Sequence, residues 1–343
     1  MVLLLGTVVA MSGLIVRRGA LDIGSGATKL VIADVLVEAS ESRVQLVRYG
    51  CERPVGFSAD LLRSGDGCLS EEVMRRGLHT IVDLLDVCRR MKVTQLAGVA
   101  TEVFRQAKNG ATFLSRVKDL GLEVQTIPQE QEAMLGYLSG LRMRACGEES
   151  VVVWDSGGGS FQITSRLPGE SSLSYYMGSI GALSSHKLLV EDVCGRKLAL
   201  TKTVNPVSKE DCDKLLALLE EKLSQVPAWL LRKDVIAIGA SNSVFQLALR
   251  VLRHKKGSET ETLLTLSTAT EALNFCVNKT DSDLDFARDF ENADAVTLLV
   301  PKLCLLVAVM RKTSFSSVFP VHCIGSCIGI LTSEQYWSSP ITL

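Results

Sequence analysis

The sequence predicts an α/β protein with two duplicated halves that flank a cleft. Residues 20–34 and residues 151–164 carry this prediction, because each runs from apolar residues through an aspartate and a glycine-rich tip into a second apolar run. This pattern is typical of a β-hairpin with a bare backbone at its tip. The chain between the two copies is long enough to form half of a 343-residue molecule. That length is typical of about two domains.

The composition is that of an ordinary soluble protein with an ample core. Hydrophobic residues make up 47%, charged residues 22%, and the formal net charge is −1. Without a basic excess, nucleic acid is not expected as a partner. The apolar run 295–310 contains a proline and a lysine and is short for a membrane span, so we expect a buried helix, no membrane partner and a cytoplasmic location. Apolar residues 1–16 form an extension that is more strand-like than signal-like, which leaves targeting open.

Metal binding by cysteine is not expected. Of the ten cysteines the closest pair is Cys323 and Cys327, and only four histidines are available as partners. No zinc-site spacing is present. Buried free thiols in a reducing compartment are therefore expected.

Strand and helix patterns alternate through the first half. Ser70 is expected to cap a helix that carries an apolar stripe and ends in a basic turn at residues 89–92. The other predicted elements are a strand at 43–49, a loop at 55–67, a strand at 95–100, a helix at 111–120, a strand at 122–127 and a helix after Pro128.

The second half repeats the alternation. A strand-to-turn passage is predicted at 175–182, and residues 281–294 form an acidic, solvated segment. The remaining elements are a helix from Ser208, a strand at 234–239, a helix after residues 240–243 with a basic end at 253–256, a helix at 268–277 with a Thr268/Glu271 capping box, and a final strand with a glycine turn at 322–331.

The two glycine tips are candidate phosphate sites. Glycine allows close approach to the main chain, and successive free N–H groups form a nest for phosphate oxygens. An aspartate at each strand end, Asp22 and Asp155, is well placed to hold a hard cation directly or through water. The tip residues are Gly24, Ser25 and Gly26 in the first copy and Gly157, Gly158, Gly159 and Ser160 in the second.

Three further positions are compatible with phosphate chemistry. The turn Gly239-Ala240-Ser241 joins a strand to a helix, a junction that suits anions. Arg105 follows a strand end and can donate two hydrogen bonds to a phosphate group, although its spacing alone favours a surface residue. Glu132 is one of two glutamates, with Glu130, in the first turn of a helix. Negative charge at that position complements the helix dipole, which accounts for the presence of at least one of them. Such a glutamate would also face a cleft between the hairpins, where it could take a proton from water.

Taken in order, these motifs resemble the exopolyphosphatase/guanosine pentaphosphate phosphohydrolase (Ppx/GppA) family. The resemblance covers about residues 19–331 and is most particular in Ala100-Thr101 with Arg105 and in Glu132 before Ala133. It implies the actin-like ATPase fold of sugar kinases and Hsp70, in a short two-domain form. The implied division is an uncertain extension at 1–16, domain I at 17–128, domain II at 129–317, and a return to domain I at about 318–343.

The resemblance also implies roles for the candidate residues. The protein would release terminal phosphate from inorganic polyphosphate or a phosphorylated guanine nucleotide, with Glu132 as the base that deprotonates water. The two tips and Arg105 would hold the terminal phosphoryl group, and Gly239, Ala240 and Ser241 phosphates further along. Asp22 and Asp155 would place Mg²⁺ or another divalent cation. A homodimer is left open.

Four departures from the family pattern keep alternatives open. One of them, Gln162, places a neutral amide where a carboxylate is expected near the metal, which should lower magnesium affinity. The alternatives are a catalytically weakened or inactive sensor of a phosphorylated ligand, and an actin-like or sugar-kinase-type ATPase. The departures are Gly26-Ala27 for Asn-Ser, Gln162 for glutamate, Asn292-Ala293-Asp294 for Arg-Ala-Asp, and Gly325-Ser326-Cys327-Ile328-Gly329 for Gly-Leu-Arg-Glu-Gly.

Overall fold

Two mixed β-sheets covered by helices form the molecule, which confirms the predicted α/β class. The computed structural model describes residues 13–39, 41–144, 151–223, 225–231, 236–240, 242–287 and 296–337. Most of the N-terminal extension, Ser241 and the segment 292–294 lie outside the described residues.

The strands of the first sheet lie within the first 144 residues. In order, the elements are β1 (Leu14–Ile23), β2 (Ala27–Val37), β3 (Ser42–Pro54), α1 (Phe57–Arg63), α2 (Glu71–Arg90), β4 (Gln95–Ala100), α3 (Glu102–Gln106), α4 (Gly110–Asp119), β5 (Val124–Thr126) and α5 (Gln129–Arg144).

The second sheet follows. Its elements are β6 (Val151–Ser156), β7 (Phe161–Arg166), β8 (Leu173–Gly178), α6 (Ala182–Leu188), α7 (Lys209–Lys222), β9 (Ile236–Gly239), α8 (Leu247–Lys256), β10 (Leu264–Thr265), α9 (Leu266–Cys276), α10 (Leu299–Lys312), β11 (Ser317–Pro320) and α11 (Cys327–Thr332).

The two sheets share one topology. The first has the order β3-β2-β1-β4-β5, and the second has β10-β11-β9-β6-β7-β8. In each, three strands form an antiparallel meander and the first of them pairs in parallel with the next strand outward. Strand β6 thus corresponds to β1, and β7 to β2. This correspondence confirms the duplication that the two glycine hairpins predicted.

Amphipathic and apolar helices cover the sheets as their patterns predict. The Ser70 hydroxyl accepts from the N–H of Val73 and begins α2, whose apolar stripe packs into the core of the first half. Helix α10 is buried from Leu299 to Met310 in the core of the second half, as expected for the apolar run. Within the described ranges no helix is both long and apolar enough to cross a membrane.

Two local predictions are wrong. The segment 55–67 contains α1, because Phe57 is buried against the rings of Phe104 and Phe113. The cap of α9 is Thr265, whose hydroxyl accepts from the N–H of Thr268 at 3.1 Å. The Thr268 hydroxyl accepts in return from the Thr265 N–H at 2.9 Å, while Glu271 forms an ion pair with Lys255 at the surface.

The predicted final strand at 322–331 is also wrong. The last strand, β11, ends at Pro320, and the apolar run after it forms α11. A short apolar run fits a buried helix as well as a strand, and its packing decides between them. Helix α11 packs on β1, β2 and β3 of the first sheet and on α5, so the chain returns from the second sheet to the first.

Helices α5 and α11 approach each other through bare backbone at Gly329. A Cβ atom added there would lie 2.8 Å from the Cα atom of Leu135. The Gly329 N–H donates to the hydroxyl of Ser139 at 2.9 Å in the buried contact. Because the atoms that the added Cβ would meet belong to the backbone of Leu135, no side-chain rotation can make room.

We expect Gly329→Ala to lower the free energy of unfolding by about 3 kcal/mol, since overpacking of this kind forces backbone shifts. Urea denaturation measures the change. Gly65→Ala is the control, because a Cβ atom at that exposed loop position meets no atom within 4 Å. Equal stability of the two variants would contradict the close helix contact.

Candidate active site

The tips of the two glycine hairpins meet in one crevice. A Cβ atom added at Gly158 would lie 3.5 Å from Ser25 Cβ. In the first tip Gly24 and Ser25 are buried, whereas Gly26 is exposed. The two predicted phosphate-binding tips therefore face each other across the halves of the molecule.

Hydrogen bonds to the start of α6 fix the direction of the second tip. The N–H groups of Ala182 and Leu183 donate to the carbonyls of Gly157 and Gly158 at 3.1 and 2.8 Å. Since C=O and N–H point in opposite directions across a trans peptide, the N–H groups of Gly158 and Gly159 point away from α6. In the part of the chain that the structure describes, neither N–H makes a hydrogen bond. They are free donors for an anion.

The first tip is anchored in the same way. Its carbonyls at Ser25 and Gly26 accept from the N–H groups of Ser58 and Gly56, both at 2.8 Å. The N–H of Gly26, which shares a peptide with the Ser25 carbonyl, therefore points away from the start of α1.

The third predicted turn is placed differently. The Ala240 N–H donates to the Trp154 carbonyl at 2.9 Å, and the Gly239 carbonyl accepts from Val321 at 2.9 Å. These bonds continue the sheet, so the Ala240 N–H is already used. Ser241 lies outside the described residues.

Strand register pairs each site aspartate with a residue of the neighbouring strand. Asp22 lies opposite Lys29 in the β1–β2 pair, and their side chains form an ion pair with Nζ 3.8 Å from Oδ2. Asp155 lies opposite Gln162 in the equivalent β6–β7 pair. The Gln162 amide donates to Ser160 Oγ at 3.1 Å, so these two residues share a face as strand alternation predicted.

The loop before α11 closes over Asp22. The Ser326 N–H donates to Asp22 Oδ2 at 3.0 Å. The preceding residue, Gly325, has a φ of +53° and lies so close that an added Cβ atom would be 2.6 Å from Lys29 Cδ. Both the left-handed backbone and the contact require glycine. The other oxygen, Asp22 Oδ1, is buried and has no hydrogen-bond partner.

Burial and mutual charge shift the pKa values of this cluster. Burial raises the pKa of Asp155 to about 6, with Lys29 opposing and Asp22 adding to the rise. For Lys29, burial favours the neutral amine, but the carboxylates of Asp22, Glu52 and Asp155 outweigh it and raise the pKa. Lys29 is thus a permanent cation beside Asp22.

Helix α5 carries Glu132 into the same crevice. An added Cβ atom at Gly136, one turn further along α5, would lie 3.3 Å from Asp155 Oδ2. Residues four apart share a helix face, so Glu132 is on the side of α5 that faces Asp155. Arg105 orients the glutamate: its Nη2 donates to Glu132 Oε2 at 2.8 Å and its Nη1 to the Ile127 carbonyl at 2.7 Å.

The environment makes Glu132 a stronger base than an ordinary carboxylate. Burial raises the pKa of Glu132 to about 7, against the lowering effect of Arg105, and Asp22 and Asp155 raise it further. Its Oε1 atom makes no hydrogen bond to any described residue. A carboxylate with one oxygen fixed and the other open can accept a proton near neutral pH.

Two carboxylates could accept a divalent cation. Asp22 offers its Oδ1 atom, which has no hydrogen-bond partner. Asp155 is close enough for the charge of Asp22 to raise its pKa. Among the described residues no group of three or more His, Cys, Asp or Glu side chains is arranged to hold a metal alone. Mg²⁺ usually needs only one or two protein carboxylates, because phosphate and water complete its shell. The donor chemistry fits such a site, with Lys29 as a competing cation.

Sequence reasoning missed three residues of this site. Lys29 could have been found by counting outward from the tip, since hairpin register places it opposite Asp22. Glu102 accepts a hydrogen bond from Ser25 of the first tip and lies against Gly159 of the second, but its position before Arg105 gave no distinguishing signal. Gly325 was noted only as part of a departure, because the left-handed backbone that it needs becomes visible only in the folded loop.

Known proteins show the same architecture and sequence features. The structure of the Aquifex aeolicus PPX-GPPA enzyme superposes with a TM-score of 0.68 at 20% identity, covering 93% of this chain and 99% of that one. The exopolyphosphatase 1 of Mycobacterium tuberculosis is 25% identical over 187 residues, or 53% of this chain and 51% of its own. A guanosine-5'-triphosphate,3'-diphosphate pyrophosphatase of Photobacterium profundum is 28% identical over 145 residues, or 42% and 28% of the two chains.

The structural likeness confirms the predicted actin-like fold with two duplicated halves. The chain spans about half the length of the mycobacterial relative and less of the other. Residues 59–240, more than half of the chain, match the Ppx/GppA phosphatase family. With the meeting hairpins and the Arg105–Glu132 pair, this match establishes that the chain belongs to the Ppx/GppA phosphatase family.

Proposed function

We propose that the protein hydrolyses phosphoanhydride bonds and releases the terminal phosphate of inorganic polyphosphate or guanosine pentaphosphate. The observation that carries the proposal is Glu132, fixed by Arg105 beside two meeting glycine tips. The family membership and the activities after which the two relatives are named support the same reaction class.

In the proposed mechanism the free N–H groups of Gly158 and Gly159 bind oxygens of the terminal phosphoryl group. Arg105 keeps the carboxylate of Glu132 in place while the open oxygen accepts a proton from the attacking water. The water oxygen bonds to phosphorus as the P–O–P bond breaks, and the shortened chain leaves. Such a transfer depends mainly on positioning and charge neutralisation.

We further propose that Asp22 and Asp155 hold Mg²⁺ or another divalent cation. The buried, unpartnered Oδ1 of Asp22 supports this site. The cation would neutralise charge on the phosphate oxygens when bound. Lys29 already neutralises part of the charge of Asp22, and Gln162 is uncharged. We therefore expect the cation to bind more weakly than it would at a site of three carboxylates.

The test is phosphate release by the full chain from polyphosphate, guanosine pentaphosphate and ATP, measured with malachite green in Mg²⁺ or in EDTA. We expect Mg²⁺-dependent release from one or both of the first two substrates. Binding without release would instead identify a sensor. Transfer from ATP to an acceptor would identify a kinase-type ATPase.

A further inference from the structure

A carboxylate already lies between the two phosphate-binding tips. Glu102, the first residue of α3, accepts a hydrogen bond at Oε2 from the Ser25 hydroxyl at 2.7 Å. A Cβ atom added at Gly159 of the opposite tip would lie 2.6 Å from Glu102 Oε1. One side chain therefore contacts the first tip through its hydroxyl and the second through its bare backbone.

The carboxylate of Glu102 is held as a bound anion would be, by a hydroxyl and bare backbone, and not by any cationic side chain that the structure describes. Glu102 is buried, with 9% of its surface exposed. No lysine or arginine of the described ranges lies within ion-pair distance of it, and Arg105, one turn further on, pairs with Glu132 instead. The polar partner is the hydroxyl of Ser25, and the unbonded N–H of Gly159 is in the neighbouring backbone.

A phosphate group cannot share this position with the carboxylate. Both are oxyanions, the tips lie close together around the carboxylate, and two like charges at contact in a buried site repel strongly. A phosphate that binds Ser25 and Gly159 must therefore displace Glu102. When the phosphate leaves, Glu102 can return to the same partners.

We propose that Glu102 is an internal competitor for the phosphate-binding gap and promotes release of the orthophosphate product. This role rests on the proposed hydrolase function, but the competition itself needs only anion binding. A bound product would otherwise be held by donors that were arranged for the terminal phosphoryl group. The carboxylate weakens that binding by the free energy of its own contacts.

The test is the affinity for sodium orthophosphate, measured by isothermal titration calorimetry, together with orthophosphate inhibition of polyphosphate hydrolysis. We expect Glu102→Gln, which keeps the size and removes the charge, to bind orthophosphate at least tenfold more tightly and to be inhibited at correspondingly lower concentrations. Glu102→Asp keeps the charge but shortens the side chain, and should give a smaller increase. Glu130→Gln, an exposed glutamate in the first turn of α5, is the charge-matched control and should bind like the wild type.

Two outcomes separate this proposal from the proposed function. Unchanged orthophosphate affinity in folded Glu102→Gln and Glu102→Asp, with polyphosphate hydrolysis intact, would overturn the competitor role alone. Tighter orthophosphate binding by Glu102→Gln in a protein that hydrolyses no substrate would support the competition and reject the hydrolase. Thermal denaturation of each variant establishes that it is folded; if Glu102→Gln does not fold, the Glu102→Asp comparison decides.

Discussion

Glu132→Gln is expected to reduce phosphate release about 10³-fold, the contribution of a positioned general base. The amide keeps the shape of the side chain and can still accept the hydrogen bond from Arg105, but it cannot take a proton. Polyphosphate binding should be retained or tightened, because one negative charge leaves the crevice. Malachite-green kinetics and calorimetric titration with polyphosphate measure the two effects separately.

Two controls make the result specific to the base. Glu130→Gln removes an exposed carboxylate from the same helical turn and should leave turnover unchanged. The thermal midpoint of Glu132→Gln should not fall, since burial raises the pKa of Glu132 and so disfavours the charge that the variant removes. Wild-type turnover by folded Glu132→Gln would reject the base assignment.

Arg105→Met is expected to reduce turnover about 100-fold at neutral pH and to move the pH profile. As the proposed base, Glu132 must be deprotonated to act, so wild-type activity is expected to rise with pH through about 7, the pKa of Glu132. Arg105 lowers that pKa, and its loss also frees the Ile127 carbonyl. The acidic limb of the profile should therefore shift to higher pH, and part of the activity should return under alkaline conditions.

Arg116→Met is the matched control for this prediction. Arg116 also pairs with a glutamate, Glu71, in this case through two hydrogen bonds and at the surface between α4 and α2. Its loss should leave the pH profile unchanged. An acidic limb that stays at the wild-type position in Arg105→Met would mean that Arg105 does not control the protonation of Glu132.

The duplicated hairpins were predictable because their signals are local. A strand end, an aspartate and a glycine tip lie within fifteen residues. The two-residue period of strands places Gln162 on the same face as Ser160 without tertiary information. The start of α2 at Ser70 was predictable for the same reason. The meeting of the tips was only a hypothesis at the sequence level, since it depends on how two distant halves pack.

What the sequence did not reveal depends on contacts between distant segments. Glu102 is an ordinary glutamate until Gly159 is placed against it. Helix α11 has an apolar run that fits a strand equally well, and only its packing on the first sheet and on α5 decides for a helix. The cap of α9 was misplaced by three residues, because Thr265 and Thr268 are both suitable caps and local pattern cannot rank them.

The bond from the Ser326 N–H to Asp22 joins residues that are 304 positions apart. Both sheets are complete at Pro320, yet the backbone hydrogen bond to this aspartate comes from the loop that follows. During synthesis the N-terminal part of a chain leaves the ribosome and begins to fold first. The nascent chain therefore carries the residues of the first hairpin long before residue 326 is made, and the crevice around Asp22 is complete only after about 300 further residues have been added.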